Sequence, residues 1–192
     1  ADGVSFCVQA HEDDWQLFNS KNIINDISRD TKIVFITVTA GNIGQKGDEN
    51  QEIYYIYREK ASVFSSKFVA DLFGKPEVLS SPEFVEVSYV NNGVETKHQI
   101  KKYVYKNTVN YFLRLPDGNR DGKGFAETNG ESLMKLRRGD IHSITAVDNS
   151  AQYNGWDDLV RTIGQIVKTE SANHEQAWMY LDSTDPKYNS QS

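Results

Sequence analysis

The chain has 192 residues, a formal net charge of −6 and an isoelectric point near 5.2. That length suffices for one domain with a substantial core. The acidic balance argues against nucleic-acid binding as a main role, and no apolar run approaches membrane-spanning length.

The first expected element is a strand. Val4-Ser5-Phe6-Cys7-Val8 is rich in β-branched and aromatic residues and reads as a buried parallel strand, and it runs directly into Gln9-Ala10-His11-Glu12-Asp13-Asp14. Cys7, the single cysteine, permits no internal disulfide and reads as a small buried apolar side chain. One imidazole and three consecutive carboxylates thus fall at a strand's carboxyl end, where open α/β sheets bind ligands. Adjacent acids repel one another, and a divalent cation reconciles them. His11 and Asp14, three residues apart across a tight turn, supply an imidazole nitrogen and a carboxylate oxygen, a pair that suits zinc. Asp13 is then left free as a base. The alternative, an acidic helix cap, needs only one Asp.

Residues 21–28 carry Ile23, Ile24 and Ile27 at helical spacing, with Ser20 as the expected N-cap. A second strand is expected over 31–40, followed at 41–50 by a loop with three glycines, placed to border a substrate. The spacing predicts a helix over 53–73 that buries Ile56, Phe64, Phe68, Val69 and Leu72 and stops at Gly74 and Pro76. Residues 84–90 and 98–105, joined through Asn91-Asn92-Gly93, read as a β-hairpin with one solvated face. A strand over 109–115, a helix over 156–167 capped by Asn154 or Gly155, and a last core strand over 177–181 complete an α/β chain. With no repeat or composition break, 1–192 reads as a single domain.

Asp117-Gly118-Asn119-Arg120-Asp121-Gly122-Lys123 opens like a calcium loop, with oxygen-bearing side chains at alternate positions. Thr128 stands where a bidentate Glu would close it, which disfavours Ca2+ against a polar turn or a substrate-contact loop. Following a strand end, Asp117 or Asp121 is placed to face the same crevice as His11.

Ala10-His11-Glu12-Asp13-Asp14 resembles the signature of the LmbE-like zinc deacetylases, the family of N-acetylglucosaminyl-phosphatidylinositol de-N-acetylase, whose usual pattern is Ala-His-Pro-Asp-Asp. Glu12 stands in the proline slot. The stretch from Ile33 through Val38-Thr39-Ala40-Gly41-Asn42 is similar to that family's second strand and its glycine-containing turn, and Tyr57-Arg58-Glu59-Lys60-Ala61 to its Arg-Glu helix opening. Leu113-Arg114-Leu115-Pro116-Asp117-Gly118 and Ile144-Thr145-Ala146-Val147-Asp148 resemble further family segments. The resemblance implies a three-layer Rossmann-like fold with a mostly parallel sheet, helices on both faces and an added β-hairpin. It implies His11 and Asp14 as ligands of Zn2+, Asp13 as general base, and hydrolysis of the acetamide of an N-acetylated amino sugar or its conjugate. Arg58 inherits a substrate-holding role, against its plain reading as a surface charge on a helix, and Asp121 is the corresponding choice for a substrate-binding acid.

The family completes its metal site with a His-x-x-His-like motif after the last core strand. Here Ala177-Trp178-Met179-Tyr180-Leu181 is followed by Asp182 through Ser192 without it, and His98, His142 and His174 lie elsewhere. A chain cut before that segment is expected; the alternatives are Asp182 or Asp185 as a substitute oxygen ligand, or an incomplete site. The start at Ala1-Asp2-Gly3 fits a mature, extracytoplasmic form after leader removal, or a trimmed chain. The expected partner is a small-molecule or glycan substrate. Two other classes compete: a non-catalytic carbohydrate- or metal-binding module on the same fold, and a receiver-type phosphoryl-transfer domain with Asp148 as acceptor. The latter needs a lysine at a core strand end, whereas Lys168 falls at a helix end.

Overall fold

The computed structural model describes residues 3–43 and 54–181. Its elements in chain order are β1 (Gly3–Gln9), a π-helical turn (Trp15–Asn19), α1 (Ser20–Ser28), β2 (Lys32–Thr39), α2 (Tyr54–Leu72), β3 (Glu83–Asn91), β4 (Val94–Tyr105), β5 (Thr108–Leu115), a 3₁₀ turn (Ala126–Thr128), α3 (Leu133–Arg138), β6 (Ile144–Thr145), β7 (Gln152–Tyr153), α4 (Trp156–Ser171) and β8 (Gln176–Tyr180). Six strands form one mostly parallel sheet in the order β3-β4-β5-β2-β1-β8, and β6 pairs with β7 in a separate small ribbon. The fold is therefore α/β.

The run β5-β2-β1-β8 is parallel throughout, while β3-β4-β5 is an antiparallel meander, so β5 belongs to both. The continuous apolar sequences of β1, β2 and β5 match their nearly complete burial. Alternate residues of β1 and β2 enter two separate cores. Val4, Phe6, Val34, Ile36 and Val38 join Leu159 and Ile166 of α4. Cys7, Ile33 and Phe35 join Ile23 and Ile27 of α1 with Val69 and Ala70 of α2. β1 has β2 on one side and the last strand, β8, on the other. The chain thus leaves β1 in one direction and returns in the other, and such a switch point opens a crevice beyond the carboxyl end of β1.

The hairpin expected at Asn91-Asn92-Gly93 is present, with Asn91 opposite Val94 and both loop residues at positive φ (49° and 79°), the geometry of a type I′ turn. Two expectations need correction. Ser20 is the first residue of α1 rather than its cap; the cap is Asn19, because the π-helical turn feeds directly into the helix. The buried face of α2 is Tyr55, Glu59, Ser62, Val63, Ser66, Val69 and Ala70, whereas Phe64, Phe68 and Leu72 are exposed. The inward face mixes small residues at 62, 66 and 70 with Tyr55, Glu59, Val63 and Val69, so apolarity alone does not select it. Among the described residues no helix is long and apolar enough to cross a membrane.

Candidate functional site

Past Gln9 the chain turns sharply, and side chains from β1 hold the turn. Gln9 Nε2 donates to Thr37 Oγ1 at 2.9 Å, and its Oε1 accepts the Trp15 amide at 3.2 Å. Thr39 extends the β1–β2 connection by donating both its amide and its hydroxyl to the Ala10 carbonyl, at 3.0 and 2.8 Å. Asp14 Oδ2 accepts the His11 amide at 2.9 Å, closing the turn on itself. The π-helical turn follows at once, a conformation that recurs at functional sites.

This brings His11 Nδ1 to 3.9 Å from Asp14 Oδ1. On the other side of the same ring, His11 Nε2 is 3.8 Å from Asp117 Oδ2, carried by the segment after β5. Asp117 is in turn placed by its amide, which donates to Asn42 Oδ1 at 3.1 Å. Asp121 does not approach His11. It lies exposed further along the turn, 3.4 Å from Lys123 Nζ, with its Oδ1 accepting the Lys123 amide. Asp117 Oδ1 likewise accepts the Asn119 amide, so both carboxylates brace local turns of the 117–123 segment.

Arg58, from the first turns of α2, reaches the acidic turn with three nitrogens. Its Nη2 donates to Asp13 Oδ1 at 2.7 Å, its Nη1 to the Gly41 carbonyl at 3.0 Å, and its Nε is 3.2 Å from Glu12 Oε2. Gly41 makes that approach possible. Its φ is +52°, and a Cβ there would sit 1.9 Å from Arg58 Nη1 and 2.9 Å from Glu12 Oε2. Asp13 remains accessible, its side chain 59 % exposed. Glu12 is buried, and among the described residues neither of its oxygens makes a hydrogen bond of good geometry. Burial pushes its carboxyl up to about 8 although Arg58 pulls the other way.

Behind this layer, Arg114 at the end of β5 donates from Nε and Nη2 to the two oxygens of Glu59, at 2.6 and 2.7 Å, and from Nη1 to Asp148 Oδ2 at 2.6 Å. Arg114 holds a left-handed φ of 58° while its carbonyl accepts the Val147 amide. The bidentate pair fixes the residue next to Arg58, and with it the start of α2, against the strand ends. Glu12, Gly41 and Asp117 stand in segments that the sequence singles out, but neither their contacts nor this Arg114–Glu59–Asp148 network can be read from local sequence. They meet only through the sheet order.

Among the described residues no group of three or more His, Cys, Asp or Glu side chains gathers to hold a metal. His11 and Asp14 are a facing pair, with Asp117 on the opposite ring nitrogen. Asp182 and Asp185 lie outside the described residues. No protein-family model, no curated protein and no solved structure matches the chain.

Proposed function

We propose that this chain is a zinc-dependent hydrolase of the LmbE-like kind, built on a three-layer Rossmann-like fold, that removes the acetyl group from an N-acetylated amino sugar or its conjugate. One observation carries the reading: at the carboxyl end of β1 an imidazole and a carboxylate face each other at 3.9 Å, while the two carboxylates between them in sequence, Glu12 and Asp13, are both held by Arg58. Zinc binds such donors about 2 Å from each in tetrahedral geometry, which sets them about 3.3 Å apart, so His11 and Asp14 at 3.9 Å would close by about half an ångström around one ion.

When bound, zinc supplies positive charge that polarises the acetamide carbonyl and lowers the pKa of a nearby water. The remaining chemistry belongs to the chain. Asp13, held by Arg58 and open to solvent, takes the proton from the attacking water. Arg58 spends three nitrogens on Asp13, Gly41 and Glu12, so its role toward substrate is to fix the base and present charge at the rim. As the C–N bond breaks, the proton held by Asp13 passes to the departing nitrogen, so the products are acetate and the free amino sugar.

A second reading, a carbohydrate- or metal-binding module without catalysis, is favoured by the two-donor set, because catalytic zinc takes three protein ligands. Acetate release from N-acetylglucosamine and its conjugates, measured with added zinc, separates the two. Asp13→Asn is expected to lower deacetylation by about 10²–10⁴-fold while leaving zinc content near wild type. Equal loss of zinc and activity would exchange the roles of Asp13 and Asp14, and zinc binding without acetate release from wild type would establish the binding module.

A further inference from the structure

The exposed side of α2 is as apolar as its buried side. Tyr57, Ala61, Phe64, Phe68 and Leu72 recur at intervals of three and four residues and form one stripe along the helix. Phe64 and Phe68 also line a groove of about 400 Å³ shared with Trp15, Gln16, Ser20 and Ile24, so the stripe borders α1 and the π-helical turn. Tyr57, Phe64, Phe68 and Leu72 are each between 54 and 65 % exposed.

We infer that this face is where two copies of the chain associate, α2 packed antiparallel on α2 about a twofold axis near Phe64 and Ser65. Area favours a second copy as the occupant. Large side chains carry about 150–250 Å² each, so at their partial exposure Tyr57, Phe64, Phe68 and Leu72 together with Ala61 present roughly 500 Å² of apolar surface, in the upper part of the range for a monomer's largest patch. Doubled by a twofold axis this is about 1,000 Å², the size that a specific interface needs to clear. The spacing also suits self-pairing. In the antiparallel arrangement Phe68 of one copy faces Ala61 of the other, large against small, and Tyr57 faces Leu72, so the same patch serves both partners. The net charge of −6 disfavours the rival occupant, an anionic bilayer surface.

Sedimentation velocity over a concentration series tests the inference, with Phe64→Glu and Phe68→Glu as interface variants and Val78→Glu as a control at an exposed apolar residue elsewhere. Wild type and the control are expected to sediment at twice the 21.8 kDa chain mass, with a dissociation constant of about 10 µM or tighter. Both interface variants should weaken association at least tenfold, with unchanged circular dichroism, because neither residue contributes to the core. A wild-type monomer at about 100 µM, or a dimer indifferent to both variants, would overturn the inference. So would a monomer that co-sediments with phosphatidylcholine–phosphatidylserine vesicles through this face, which would assign it to a membrane.

Discussion

Glu12 is the residue that departs from the resemblance, and its surroundings give the departure a measurable consequence. A proline there would stiffen the turn; the glutamate instead places a buried carboxyl against Arg58. Its folded pKa, about 8, lies above its ordinary 4.5, so the folded state holds a proton that the unfolded chain releases. The stability linked to that proton is full below pH 4.5 and is lost as pH rises through 8. Glu12→Gln keeps the shape and removes the titration. In the zinc-free protein it should flatten the fall in melting temperature between pH 4.5 and 8 and stabilise at pH 9 by on the order of a few kcal/mol. A Gln variant less stable than wild type at pH 9 would show that ionised Glu12 is well compensated. The His11–Asp14 relation was legible in the sequence because it is local, three residues across one turn. The Glu12–Arg58–Gly41 contacts were not, since they depend on how the carboxyl ends of β1 and β2 meet the start of α2. Asp117 and Asp121 were equally eligible by position, and the Asn42 bond to the Asp117 amide is what aims the former at His11.

At the scale of elements, α4 is fastened to three strands by one carboxylate. Glu170 is bonded by Lys32 of β2, Lys102 of β4 and Tyr111 of β5. Burial would raise its pKa, but the bonds from Lys32, Tyr111 and Lys102 together outweigh it and hold the group near 2, below its ordinary 4.5. Its contribution is therefore present above pH 4.5 and lost as pH falls from 4.5 to 2. Glu170→Gln should cost about 2–3 kcal/mol at pH 7 and weaken the acid limb of the stability profile, as read from urea unfolding at pH 7 and pH 3. An unchanged acid limb would place the acid sensitivity elsewhere. Strands and helices were legible from period and punctuation. The inward face of α2 was not, because apolar residues occupy both sides and hydropathy gives no vote between them. Contacts to β5 accompany it, Asn110 donating to Ser66 and Arg114 pairing with Glu59, and these lie far apart in sequence.

At the scale of the whole molecule, the strand order creates the site. β8 beside β1 and β5 beside β2 put four parallel carboxyl ends side by side, with the acidic turn at the point where the connections diverge. The sequence identifies each strand but not this order, which rests on contacts between residues far apart in the chain. The central claim is that one zinc ion sits between His11 and Asp14 in this crevice. The most direct measurement is an anomalous difference map at the zinc edge from crystals of the chain grown with zinc. The account predicts a peak about 2 Å from both His11 Nδ1 and Asp14 Oδ1, absent in His11→Ala. A peak between His11 Nε2 and Asp117, or none in the crevice, would contradict it.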